Sequence, residues 1–234
     1  GIVFLSLPGG KEVAAVIEGP GGILERGRQG QIVVDHGTTP VDLTRRLAAA
    51  LAERGIGFLD APVARTRAAA AEGTLSVTVG GPEDLFRAVR PRLACVATDI
   101  AHCGGTGAGQ TVKIINNMVL IQTVVALADG LIIGERAGVE GAVLFDCLSR
   151  GSADSFALRN HGLKSLLPDD FPERAFPATY ALKDLDCGLH LAEETGVAAR
   201  AARVARSILV EAIAAGLGPR YFPVLKKVLA QGGG

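Results

Sequence analysis

The stretch GGTGAGQTVKIINN, residues 104–117, divides the chain by texture. Before it, apolar runs ending in turn residues alternate with amphipathic segments. Residues 2–7 form such a run, closed by Pro8-Gly9-Gly10, and read as a buried strand and turn. Residues 31–35 (QIVVD), 56–60 (IGFLD) and 74–79 (TLSVTV) read as further strands, with a short last one at 100–102. Residues 11–17, 40–54 and 82–93 read as helices. In the second of these Leu43, Leu47, Ala50 and Leu51 share one face, with Thr39 placed as its cap. The third opens with Pro82, Glu83 and Asp84, as a helix N-terminus prefers. This alternation implies an α/β layer structure with a parallel sheet.

After residue 104 the chain reads as almost wholly helical. Residues 110–137 predict one helix of roughly 40 Å at 1.5 Å per residue. Further helices are expected at 141–148, 155–163, 178–194, 198–215 and 222–230, with a proline-rich loop at 168–177 and a glycine tail at 232–234. The reading is two domains, 1–105 and 106–234: an α/β domain followed by an all-α domain with one long helix.

Composition narrows the functions. Lys+Arg and Asp+Glu both total 24, so the net charge is zero and no general attraction draws the chain to nucleic acid or anionic membrane. Aromatic residues make up 4% and tryptophan is absent, which argues against base-stacking platforms. The four cysteines form no C-x-x-C pair and are expected to be reduced, mostly buried thiols of a cytoplasmic protein. The apolar tract 118–134 is broken by Gln122, Thr123 and Asp129, which suits a buried helix better than a membrane span. The four histidines are scattered, and no metal site is expected.

Four stretches carry candidate chemistry. Lys113 stands in the first turns of an otherwise apolar helix, with Asn116 and Asn117 three and four residues on and hence beside it. Burial lowers a lysine pKa toward neutrality and an amide can orient a hydroxyl, so the pair can form a proton-transfer site. By spacing alone a solvent-facing lysine is the stronger reading. In DAPVARTRAAAAEGTLSVTVGG, residues 60–81, a strand ends at Asp60 and a polar loop begins near Ala64, and Arg65 and Arg67 there could meet an anion. A solvated helix start fits equally well. DHGTTP, residues 35–40, is again a strand end, with Thr38 and Thr39 read as helix caps. In KDLDCGL, residues 183–189, Lys183 and Asp184 read as surface residues. The glycines at 104–109 are a poor phosphate loop, since Gln110 stands where G-x-G-x-x-G needs its last glycine.

Together, in this order and spacing, these stretches resemble the β-hydroxyacid dehydrogenase family, the 3-hydroxyisobutyrate dehydrogenase-like proteins. FLSLP (4–8), DHGTT (35–39), DAPV…GTL…VGG (60–81), GAGQTVKIINN (107–117) and KDL (183–185) carry the resemblance. It implies a Rossmann-type first domain, a helical second domain, homodimers or homotetramers, and reversible oxidation of a small β-hydroxy acid with NAD or NADP. It also implies that Lys113 gives or takes the proton at the substrate oxygen and that Asn117 orients the substrate. Leu7, Pro8 and Thr38 are expected to border the cofactor, which Lys183 approaches from the helical domain.

Two departures shape the expectations. The family's opening G-x-G-x-x-G turn is not in this sequence, and roughly sixty residues, about two βα units, are expected to be missing ahead of Gly1. The substrate loop reads Ala64-Arg65-Thr66 where the family has Ser-Gly-Gly; these three residues are expected to border the substrate, with the side chain of Arg65 or Thr66 replacing backbone donors at its carboxylate. Two further readings stand beside the dehydrogenase: an inactive scaffold unable to hold the dinucleotide alone, and a reductase of aldehydes, keto acids or imines.

Overall fold

Neighbouring residues of the central strands are buried on opposite faces of one sheet. Val33 and Val34 have no exposed surface, and Leu59 next to Phe58 has none either. One face collects Leu5, Val33 and Phe58 with Val13, Ile17, Leu47 and Leu51. The other collects Val34, Leu59, Val77 and Val79 with Val89 and Leu93. Burying each such side chain contributes about 1.5–3 kcal/mol, so the continuous apolar runs hold the layers together.

A computed structural model describes residues 1–173 and 175–231; the glycine tail expected at 232–234 lies outside the described residues. The chain forms two compact units, Gly1–Ile115 and Asn116–Gly234. The first runs β1 (Ile2–Leu5), α1 (Gly10–Glu18), α2 (Ile23–Arg26), β2 (Ile32–Asp35), α3 (Val41–Glu53), β3 (Gly57–Asp60), β4 (Val63–Ala64), α4 (Arg67–Ala71), β5 (Leu75–Gly80), α5 (Glu83–Leu93) and β6 (Ala97–Gly104), then the head of α6 (Ala108–Arg136). The sheet order is β1-β2-β3-β5-β4, with β6 also on β5. β1, β2 and β3 are parallel, as are β5 and β6.

The expected parallel sheet needs one correction: β5 runs antiparallel to β3, joined at Asp60 and Gly80, and antiparallel to β4. A parallel crossover needs a long return segment, usually a helix. Between β3 and β5 the chain spends its length on β4 and on α4, five residues long, and so turns back instead. Thr39 also departs from its expected role. The cap position of α3 is Pro40, with no side-chain cap bond, and the Thr39 hydroxyl donates to Asp35 Oδ2 at 2.7 Å.

The second unit holds the rest of α6, then α7 (Gly141–Arg150), a π-helical segment (Leu158–Leu166), α8 (Ala178–Glu194), α9 (Arg200–Ala212), a second π segment (Ile213–Leu217), a 3-10 turn (Phe222–Leu225) and α10 (Lys226–Gln231). The helices expected at 155–163 and 198–215 are thus partly π-helical. Ile121, Val124, Ala128 and Leu131 of α6 are buried with Phe145, Leu185, Leu209 and Phe222 in one core. α6 is long and apolar enough to cross a membrane, yet its window of highest hydropathy is 39% buried here. The thiols differ from expectation: Cys187 is buried, Cys103 is half-buried, and Cys95 and Cys147 are exposed.

Candidate active site

β1 and β2 end side by side, Leu5 opposite Asp35, and β2 and β3 end with Asp35 opposite Asp60. The turns leaving these ends close on one another. A side chain on Gly37 would lie 3.1 Å from the Leu7 carbonyl oxygen, and one on Gly10 would strike Leu43 at 2.7 Å and Pro40 at 2.9 Å. Leu7 and Thr38, both half-buried, and the exposed Pro8 therefore sit on two turns held against each other. His36 joins them: its Nδ1 lies 2.7 Å from the Ala61 carbonyl, and its ring stacks on Phe4 at 5.6 Å between centroids. Burial holds the His36 pKa below the ordinary histidine range, against the hydrogen bond to Ala61.

Two fully buried carboxylates lie under these turns. Asp35 Oδ1 accepts from the Gly37 N–H at 2.9 Å while its other oxygen takes the Thr39 hydroxyl. Asp60 accepts from the backbone N–H of Gly107 and of Gln110, each at 2.8 Å. Those N–H groups belong to the head of α6, where no helical carbonyl can take them, so Asp60 does the work of a cap from 47 residues away. Burial pushes the Asp60 pKa up; the two N–H donors oppose that shift and the nearby Asp35 adds to it. Gln110, with no exposed surface, spans to the neighbouring turn: its Oε1 accepts from Thr39 N–H at 3.1 Å and its Nε2 donates to the Gly37 carbonyl at 2.8 Å.

Close backbone approach completes the junction. A β-carbon on Gly109 would lie 2.5 Å from Thr78 O, 2.7 Å from Asp60 O and 2.8 Å from Gly80 N. The glycines at 104–109 are therefore not a loose entry to the helix. Gly109 lets α6 start against the ends of β3 and β5. Lys113, half-buried, follows Gln110 by three residues, nearly one turn.

The loop at 63–74 holds its own side chains. Arg65 has φ 86°, a left-handed conformation that favours glycine, the residue the resemblance leads one to expect there. Its guanidinium donates to Thr74 O at 2.6 Å and Thr98 Oγ1 at 3.2 Å, and pairs with Asp99 at 3.8 Å. The Thr66 hydroxyl accepts from Ala69 N–H at 3.2 Å, capping α4. Both side chains are thus engaged within the loop and its neighbouring strands; Ala64, on β4, is half-buried.

In the second unit, Asn117 is 5% exposed and donates through Nδ2 to Asp184 Oδ2 at 2.7 Å, while Asn116 donates to Asn117 Oδ1 at 3.1 Å. Lys183 pairs with Asp184 Oδ1 at 2.9 Å. Asp184, read as a surface residue, is 3% exposed, because its turn of α8 faces inward and its charge meets Lys183 and the Asn117 amide. Sequence reasoning missed Asp35, Asp60 and Gln110 as organisers of the strand-end turns of the first unit, and Asp184 as the buried partner of Asn117 in the second. The available signal was a strand-ending acid at positions 35 and 60; the other two show nothing local.

Two family models cover the chain. One, described as the NAD binding domain of 6-phosphogluconate dehydrogenase, matches residues 1–105; the other, described as the NAD-binding region of NADP-dependent 3-hydroxyisobutyrate dehydrogenase, matches residues 107–223. The chain is 33% identical to 2-(hydroxymethyl)glutarate dehydrogenase of Eubacterium barkeri over 98% of its own length and 76% of that protein. It is 34% identical to 3-hydroxyisobutyrate dehydrogenase of Pseudomonas aeruginosa over 85% of its length and 67% of that protein. The structure of Mycobacterium tuberculosis 3-hydroxyisobutyrate dehydrogenase with L-serine superposes with a TM-score of 0.88 at 29% identity, covering 97% of this chain and 79% of that one.

Proposed function

The chain belongs to the 3-hydroxyisobutyrate dehydrogenase family of NAD(P)-dependent hydroxyacid dehydrogenases, and on that premise we propose that it oxidises a small β-hydroxy acid with Lys113 as the proton-transferring group. The observation that supports this most is the anchoring of the head of α6. Asp60 and Gln110 tie it to the ends of β2 and β3, one turn before Lys113 and against the turn that bears Thr38. A general acid or base must be held within hydrogen-bond reach of the proton it moves, and a rigid helix start does that better than a loop.

The residues at the strand ends fit the nicotinamide end of the cofactor. A β-carbon on Gly37 would lie 3.1 Å from Leu7 O, so the two turns sit close together, and Leu7, Pro8 and Thr38 on them offer an apolar edge and a hydroxyl. NAD or NADP, when bound, supplies the hydride acceptor. Lys113 takes the hydroxyl proton as the substrate carbon is oxidised, and returns it in the reverse direction. Asn117, whose amide is held by Asp184, is assigned to the substrate by resemblance. The loop at 64–66 acts through its backbone, whose left-handed turn at Arg65 keeps the shape a glycine would give, since its side chains are already engaged. Lys183 is assigned to the cofactor by resemblance. The exposed apolar residues Val119 and Ile133 of α6, 54% and 66% exposed, support self-association as a dimer or tetramer.

The test is turnover of NAD(P)⁺ with a panel of small β-hydroxy acids, read by absorbance of the reduced nicotinamide. Lys113→Ala should lower turnover by at least about a hundredfold, the usual scale for losing general acid–base help. Near-normal turnover in that variant would remove lysine from the mechanism.

A further inference from the structure

We infer that Gln110 is a positioning residue: it sets the head of α6, and with it the Lys113 amine, against the turn that carries Thr38. This rests on the reading of Lys113 as the proton-transferring group. Gln110 makes no contact with the reacting atoms in that scheme and acts through its neighbours.

Both polar ends of its amide are spent on backbone. Oε1 accepts from Thr39 N–H at 3.1 Å and Nε2 donates to Gly37 O at 2.8 Å. A backbone N–H can only donate and a carbonyl only accept, so the amide has a single orientation that satisfies both. Its own backbone N–H is held by Asp60 Oδ2 at 2.8 Å. One residue therefore ties the helix head to the end of β3 through its main chain and to the turn after β2 through its side chain. Asp35 grips the same turn from beneath, through Gly37 N–H and the Thr39 hydroxyl. Thr38 lies between two residues so held, and Lys113 lies one helical step of three residues beyond the clamp. Without the side-chain tie, Asp60 still anchors the helix start but nothing among these bonds fixes the helix against the Thr38 turn. A misplacement of about 1 Å at such a site can cost up to about a hundredfold in rate.

Two variants separate positioning from mere support. Gln110→Met keeps length and burial but leaves Thr39 N–H and Gly37 O unpaired. Gln110→Glu keeps the acceptor and loses the donor until its carboxyl is protonated, and burial beside Asp35 and Asp60 raises that pKa. Well below the melting temperature, Gln110→Met should lower kcat at least about tenfold with KM for the hydroxy acid changed less than about threefold. The ratio of Gln110→Glu to wild-type kcat should rise as pH falls, because the protonated acid restores the bond to Gly37 O. A second readout needs no turnover: the titration midpoint of the Lys113 amine, followed by NMR on isotope-labelled lysine, should move by at least about half a unit in Gln110→Met.

Wild-type kcat in both folded variants, with a wild-type pH profile and an unmoved Lys113 midpoint, overturns the inference. If wild-type protein turns over no hydroxy acid, the proposed activity fails, and the Lys113 midpoint alone decides for Gln110. If Gln110→Met does not fold, the Gln110→Glu pH series and its Lys113 midpoint decide.

Discussion

Acid should unfold the helical unit through one side chain, His161. Its Nδ1 meets the Tyr221 hydroxyl, its ring packs against Phe156 and Phe222, and its Nε2 is buried without a hydrogen-bond partner. The residue is 9% exposed. Burial, with Lys164 nearby, brings its pKa from 6.5 down to about 4. In the unfolded chain the ring takes up a proton below about 6.5, while the folded ring stays neutral until about pH 4. Stability is therefore complete above pH 6.5 and is lost as pH falls from 6.5 to 4. At about 1.36 kcal/mol per unit, the whole shift is worth roughly 3 kcal/mol, and about 2.5 kcal/mol is already lost at pH 4.5. Against a typical total of about 5–15 kcal/mol this is large. The assay is urea unfolding by circular dichroism at pH 7 and pH 4.5. His161→Gln keeps an acceptor for the Tyr221 hydroxyl but does not titrate. The difference between the two pH values should shrink by about 2.5 kcal/mol in that variant. An unchanged difference would mean that the ring is protonated in the folded state at pH 4.5 and finds a partner there, and the reasoning would be wrong.

Tyr221 predicts an alkaline counterpart. Burial pushes its pKa from 10 up to about 12, so stability present below pH 10 is lost as pH rises toward 12, by about 2 kcal/mol after allowing for its partial exposure; Tyr221→Phe should flatten that limb of the melting profile. Gly109→Ala should cost at least about 3 kcal/mol, read by thermal melting, because all three atoms its methyl would meet are backbone and cannot swing away. Arg65→Gly should leave the melting temperature nearly unchanged, since relief of the left-handed backbone offsets the lost bonds to Thr74 and Thr98. Arg65→Ala, which keeps the strain and loses the bonds, should be about 1 kcal/mol less stable than Arg65→Gly, and the reverse order would show that the turn is unstrained.

The strands and helices of the first unit were legible because each apolar run ends in a turn signal. IVVD and GFLD, buried on both faces, could be little else than inner strands. β4, α4 and α2 were not legible, because two to five residues are too few to show a period. That gap also hid the reversal of β5. The π segment around His161 escaped for another reason: its apolar spacing up to residue 163 fits an α-helix, and no spacing records the close approach at Gly162, where a β-carbon would lie 3.1 Å from Leu158 and from Phe145. Lys113 and Asn117 stood out by their place on an apolar helix, but spacing alone favoured a solvent-facing lysine, and only the resemblance assigned the pair to a site. Asp60 and Gln110 were not read as clamps, because their partners lie 47 to 73 residues away and no local pattern records them.

The head of α6 makes no cap of its own: its first N–H groups close on Asp60, at the end of β3. A helix end whose acceptor is supplied by a distant strand is complete only once that strand is in place. In hydrogen exchange the amides of Gly107 and Gln110 should therefore open together with β3, and not by fraying of the helix end alone.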